Sequence, residues 1–182
     1  MQIILDITGS FIVAGIFVLL MLNLKVYEND NKYSSDSELS LQSHAKTLAE
    51  IVNYDLRKIG FKHAGTDIIV AQNKKLSFYA DIDSNNVMDI VTYQLSDSLK
   101  MLETENPRDK ILYRIVNNDT STGSSLGLVN LNFIYRTSSG AIATALDSIK
   151  YIEAEMWVET LNKVKDKYPF TYWELTINPR NL

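Results

Sequence analysis

The 182-residue chain contains no cysteine. That absence excludes disulfide frameworks, cysteine-ligated zinc and thiol catalysis together. It fits an exported protein that does not rely on oxidation. Histidine is almost as scarce. His44 and His63 are the two in the chain, and neither is spaced with a second histidine or a cysteine as metal sites require. A phosphate-binding glycine loop, a Gly-x-Ser-x-Gly elbow and a dinucleotide fingerprint are all missing. The expectation is a protein that is not an enzyme. Cationic surface is also lacking: 22 acidic residues face 18 basic ones, for a net charge of −4. With no basic stripe, nucleic acid is not an expected partner. Apolar residues make up 46% of the chain, enough to build one core plus an appendage.

What the chain does have is an apolar start, MQIILDITGSFIVAGIFVLLMLNLKV. From Ile3 to Leu24 the strongly polar residues are Asp6 and Asn23. At helical rise this run spans roughly 33 Å, about one hydrocarbon core. A cleaved secretory signal fits poorly. No basic residue precedes the run, the run is too long, and no small-x-small cleavage site follows it. Residues 1–26 are therefore expected to form a retained transmembrane and assembly helix. The positive-inside rule leaves its orientation open, because Lys25 follows the helix and no Lys or Arg precedes it. Either a basic leader has been removed before Met1, or orientation is set by other means.

Asp6 raises a specific question, since a carboxylate at mid-bilayer costs about 2.5–3.5 kcal/mol. Two readings stand. In the first, Asp6 lies near the headgroups, about 9 Å along the helix from its start, where the positive end of the helix dipole favours it. In the second, it awaits a cation inside the membrane. An α-amino group is charged at neutral pH, and the N-terminus of a neighbouring like subunit would supply one.

Residues 27–62 read as an amphipathic continuation of this stem. Leu41, Ala45, Leu48, Ile51, Val52, Leu56 and Ile59 recur at spacings of three and four, which defines one helical stripe suited to packing on a sheet. Ser35 and Glu38 form an S-x-x-E box, which places a helix start near residue 36. Gly60 is the expected C-cap. Between the two apolar segments, YENDNKYSS is either a break or a solvated bend. Arg57 and Lys58 are expected to pair either with acids of another subunit or locally with Asp55 or Glu50.

From residue 63 to 182 the period changes to two. TDIIVAQ, KLSFYADI, VMDIVTYQLS, KILYRIVNN, LVNLNFIYR, SIKYIEAEMWVET and TYWELTIN read as strands. Leu76, Phe78 and Ala80 share a face, as do Val91, Tyr93 and Leu95. Ile111, Tyr113 and Ile115 fall together, and Leu131, Phe133 and Tyr135 do likewise. Glu153, Glu155 and Glu159 lie on a wet face opposite Ile152, Ala154, Met156 and Val158. NNDTSTGSS reads as a loop. A helix followed by strands with short connections predicts an α+β fold, with the long N-terminal helix laid on a mostly antiparallel sheet domain.

The segment DIDSNNVMD admits two readings. Asp81, Asp83, Asn85 and Asp89 occupy the first, third, fifth and ninth places of a calcium loop. Asn86 stands at the sixth place, where a left-handed conformation is needed. Thr92 stands where the bidentate glutamate would be. A weak calcium site or a polar hairpin turn accounts for the same residues; beyond that, no cofactor is expected.

The order of these segments resembles the type IV pilin-like proteins, especially their larger minor pilins and minor pseudopilins. AEIVNYDLRKIGF is similar to the end of that family's long helix, and LSFYADIDSNNVMDIVTYQLS to its acidic strand–turn–strand. ILYRIVN, LVNLNFIYR, SIKYIEAEMWVET and the terminal PRNL resemble later segments in the same order. The resemblance covers nearly the whole chain. It implies a noncatalytic structural subunit of a type IV pilus-like filament or a type II secretion pseudopilus, a minor or tip subunit. Its partners would be other pilin or pseudopilin subunits, met through helix bundling. Its location would be the bacterial inner membrane, single-pass with the head outside the cytoplasm. After assembly it would stand in a periplasmic pseudopilus or an extracellular filament. Met1, Asp6 and Gly15 would be its assembly residues, with Asp6 neutralising an adjoining N-terminal amine and Gly15, nine residues on, softening the helix. The chain departs from the family pattern in having Asp rather than Glu, one residue further in, and in lacking the leader. The alternative is a single-pass, membrane-anchored extracytoplasmic binding domain.

Overall fold

The computed structural model describes residues 2–63, 65, 67–96, 104–122 and 126–182. It is α+β: among the described residues, helix α1 (Gln2–Leu56) precedes eight strands, all paired antiparallel. The chain divides into two units, residues 1–38 and 39–182.

The described part of the first unit is helical, with an apolar run from Ile3 to Leu24 followed by the polar YENDNKYSSDSE. Ile3, Phe11, Ile12, Val13, Phe17 and Leu20 are all exposed. No residue from 16 to 59 is glycine or proline, so nothing in the backbone interrupts helical hydrogen bonding there. This corrects two sequence expectations. YENDNKYSS is helical, and the Ser35–Glu38 box caps nothing. Inside a running helix the amides that a capping box would satisfy already have carbonyl partners one turn back.

In the second unit, helix residues 39–56 bury Leu41, Ala45, Leu48, Ala49, Val52 and Leu56 in the core. Ile51 belongs to the expected stripe but is exposed; Ala49 is buried instead. The helix ends at Leu56, and Gly60 (φ 71°) is not its immediate cap. The Gly60 amide donates to the Tyr79 carbonyl at 2.9 Å, which docks the outgoing chain on a strand.

Strands β1 (Ile68–Gln72), β2 (Lys75–Ala80), β3 (Asp89–Leu95), β4 (Leu112–Val116) and β5 (Asp119–Thr122) form a five-stranded meander in that order. Leu76, Phe78, Ala80, Val91, Tyr93 and Leu95 line its buried face, as the period-two pattern predicts. β5 lies in the segment read as a loop. Its polar residues carry no hydrophobic alternation, but Asn117 and Asn118 both have positive φ (50° and 76°) between paired Val116 and Asp119. Two successive left-handed residues are the mark of a tight hairpin turn.

Strands β6 (Leu128–Arg136), β7 (Tyr151–Glu159) and β8 (Phe170–Ile177) form a second sheet in that order. Leu131, Phe133, Ile152, Ala154, Met156 and Val158 complete the same core. The two sheets are joined by backbone and side chain. The Phe133 amide donates to the Asn73 carbonyl at 2.8 Å, Lys110 N–H to Leu128 at 2.8 Å, and the Tyr135 hydroxyl to the Gln72 carbonyl at 2.8 Å. Asn181 near the C-terminus donates to the Ile59 carbonyl at 3.1 Å.

β6 begins at a bulge where Gly127 (φ 77°) approaches β7. A Cβ at Gly127 would lie 2.0 Å from the Glu159 carbonyl oxygen. Gly127→Ala should therefore destabilise the domain by more than about 2 kcal/mol in denaturant unfolding. Gly140→Ala, at similar φ but in open space, should cost only about 1 kcal/mol.

Candidate functional site

Three places in the chain concentrate chemistry. The first is the N-terminal helix. It is long and apolar enough to cross a membrane, and none of its most apolar window is buried by the protein. Asp6 is exposed, and Ser10 Oγ donates to its backbone carbonyl at 2.8 Å. Ile3, Ile7, Ser10, Phe11 and Ala14 share its face. Gly15 is nine residues on, about two and a half turns, hence on the opposite side of the helix. A Cβ at Gly15 would meet nothing within 4 Å, so the chain's own packing does not require the glycine. Met1 lies outside the described residues.

The second is a buried polar cluster that sequence reading missed. Asp55, 2% exposed, sits one residue before the helix ends. Its Oδ2 accepts from the Tyr93 hydroxyl at 2.6 Å and from Arg114 Nε at 2.5 Å. The helix is thereby pinned to β3 and β4. Burial, with Asp55 beside it, raises the Tyr93 hydroxyl above its ordinary value; the Asp55 carboxylate likewise raises Arg114. The signal was present in the pattern: Asp55 adjoins the apolar stripe, and Arg114 shares the inward phase of Leu112 and Val116. Ile111, Tyr113 and Ile115 do fall together, but on the other face of β4. Neither Arg57 nor Lys58 makes an expected local pair. Arg57 Nε donates to Asn53 Oδ1 at 3.2 Å, and Lys58 Nζ donates to the Ile82 carbonyl at 2.5 Å while lying over the Tyr54 ring.

The third is the β2–β3 loop. Asp81, Asp83 and Asp89 each place a carboxylate oxygen within 4.8 Å of the others. Asp81 is fully buried; its Oδ2 accepts from Lys62 Nζ at 2.8 Å and from the Asn86 amide at 3.1 Å, the Ser84 amide also favours the carboxylate, and its Oδ1 completes no hydrogen bond. The bonded Lys62 ammonium holds the Asp81 carboxyl below the usual carboxylate range. Asp89 accepts from the Ile82 amide at 3.1 Å and from Asn117 Nδ2 at 2.5 Å. Asp83 is bonded to Asn85 through its amide and side chain, and Asn85 Oδ1 accepts from the Val87 amide. Asn86 is left-handed (φ 65°). Thr92, at the twelfth place, is engaged with Ser77 Oγ at 2.8 Å across the sheet.

The remaining candidates are structural in placement. His44 Nε2 lies 3.4 Å from Ser40 Oγ; His63 stacks on Tyr79 and lies 3.0 Å from Asp67. The glutamates of β7 are not simply solvated, contrary to expectation. Glu153 pairs with Arg136 at 2.5 Å, Glu155 meets Asn132 and Tyr172, and Glu159 is 7% exposed between Asn106 and Arg108. A segment preceding β4 covers Glu159, which strand alternation cannot reveal.

No protein-family model matches the chain, no curated protein is significantly similar to it, and no solved structure matches its fold.

The Asp55 cluster and the buried tyrosines set the response to substitution and to pH. Asp55→Ala should cost about 3 kcal/mol in urea unfolding, because it strands Arg114 and Tyr93. Arg114→Met should cost a comparable amount, and the double variant less than the sum by about 1 kcal/mol or more. Raised hydroxyl values at Tyr93 and Tyr135, both caused first by burial, set the sign of an alkaline effect. The unfolded chain releases those protons above about pH 10 while the folded chain keeps them. Melting temperature should therefore fall as pH rises from about 9 to 11, and Tyr93→Phe should flatten part of that fall.

Proposed function

We propose that the chain is a noncatalytic structural subunit of a type IV pilus-like filament or type II secretion pseudopilus, a minor or tip subunit in the pilin-like class. Its N-terminal helix would sit in the bacterial inner membrane with the head outside the cytoplasm, then bundle with helices of other subunits on assembly. The observation that carries this reading is the exposed apolar helix with one carboxylate near its start. Apolar surface left uncovered by the protein itself calls for lipid or for other helices. A carboxylate within such a bundle is tolerable only when paired, and a neighbour's α-amino group is the cation that like subunits would bring. The amphipathic second half of the helix, buried on antiparallel sheets, agrees with a stem-and-head subunit. The backbone softening ascribed to Gly15 rests on the family resemblance and on its having no packing role within the chain.

A second reading, a membrane-tethered binding domain, draws on a groove of about 420 Å³ lined by Pro107, Arg108, Lys110, Trp157 and Phe170. Phe170 is 68% exposed there. Such aromatic exposure beside cations suits a ligand or a protein partner.

The two readings separate at Asp6. A filament subunit carrying Asp6→Ala should remain at wild-type level in membranes but fall about tenfold or more in the sheared filament fraction, a loss of about 1.4 kcal/mol or more in incorporation. Asp6→Glu should restore most of it. Equal incorporation of Asp6→Ala would support the tether instead.

A further inference from the structure

We propose that the β2–β3 loop is a calcium site of low affinity, held by Asp81, Asp83 and Asp89 and contested by the ammonium of Lys62. This goes beyond the assembly function and does not depend on it. Three observations converge. The carboxylates of three residues separated along the chain are gathered so that one oxygen of each lies within 4.8 Å of the others. Like charges at that spacing repel unless a cation sits among them. Asp81 is fully buried and the Ser84 amide also favours its carboxylate, yet its Oδ1 completes no hydrogen bond, whereas its Oδ2 accepts two. A sealed carboxylate oxygen without a donor is a vacant ligand position. Among the described residues, the one ion pair to these three carboxylates is Lys62 to Asp81, which leaves Asp83 and Asp89 without a cationic side chain.

The donor set defines the ion. The candidate ligands are all oxygens, with no imidazole or thiolate, which selects a hard cation. The ligands come from a loop with spacing of one, three, five and nine, including Asn85, and such loops suit the larger, geometrically tolerant Ca²⁺ over Mg²⁺. Thr92, tied to Ser77, supplies no bidentate carboxylate at the twelfth place, so affinity belongs at the weak end of calcium modules. Lys62 sets a further limit. Its Nζ bridges Asp81 Oδ2 at 2.8 Å and Asn86 Oδ1 at 2.6 Å, so a calcium ion entering the loop meets a positive charge already bonded to one ligand. Lys58 adds a second positive charge at the Ile82 carbonyl.

The test is calorimetric titration of the full chain in detergent micelles with CaCl₂ after EGTA treatment, with thermal melts alongside. One saturable site with Kd on the order of 0.1–1 mM is expected, with a higher melting temperature in calcium and weaker binding of MgCl₂. Asp83→Asn removes one of the three mutually repelling carboxylates, so it should not lower the calcium-free melting temperature, yet should weaken binding about tenfold or more. Lys62→Gln should tighten binding about threefold or more by removing the competing charge. Absence of saturable binding and of any melt shift up to about 10 mM calcium would overturn the site. So would binding that Asp83→Asn leaves unchanged, and Lys62→Gln binding no tighter than wild type would overturn the role given to Lys62.

Discussion

The head domain depends on one constraint: each of its two sheets has a single apolar face, and helix residues 39–56 enter the core that those faces form. Leu41, Ala45, Leu48, Val52 and Leu56 share a cluster with Phe78 and Val91 of one sheet and with Phe133 and Met156 of the other. Each of the Leu, Val, Phe and Met side chains among them contributes about 1.5–3 kcal/mol on burial, so the helix is an integral part of this core. The same burial makes Asp55 consequential. A carboxylate sealed among these residues is costly without strong donors, and Tyr93 and Arg114 both donate to its Oδ2. Because one partner comes from β3 and the other from β4, the cluster also sets where along the sheet the helix ends.

Much of this was legible in residue spacing. The three-and-four stripe of the helix and the alternation of β2, β3, β6 and β7 read directly, since each reflects one buried side per element. Where spacing failed, a polar group had a tertiary partner. Arg114 drew no assignment from the sequence because its carboxylate partner lies 59 residues away. Glu159 looked solvated because the segment carrying Asn106 and Arg108 covers it. β5 has no apolar face to announce it and exists through its Asn-Asn turn. The Ser35–Glu38 box failed for the opposite reason: a local signal has no effect where the helix is already running. Ile51 shows the limit of periodicity itself, since a residue one step off the stripe by 100° faces solvent.

The two units differ in what they bury. Residues 39–182 build one hydrophobic core from the helix and both sheets. The helix of residues 2–38 leaves Ile3, Phe11, Phe17 and Leu20 open, and among the described residues no cationic side chain pairs with Asp6. Lipid would account for the apolar surface, and headgroup depth with the helix dipole for the carboxylate. The neighbouring subunits proposed above would account for both at once, because a bundle of like helices offers apolar faces and terminal amines.

The account turns on that amine. The most direct test is the mass of the intact N-terminal peptide, measured separately in sheared filaments and in membranes. A mature N-terminus with a free or methylated α-amine close before Asp6, recovered in the sheared fraction, is the predicted result. An N-terminus still carrying a leader, in protein found in membranes alone, would contradict it.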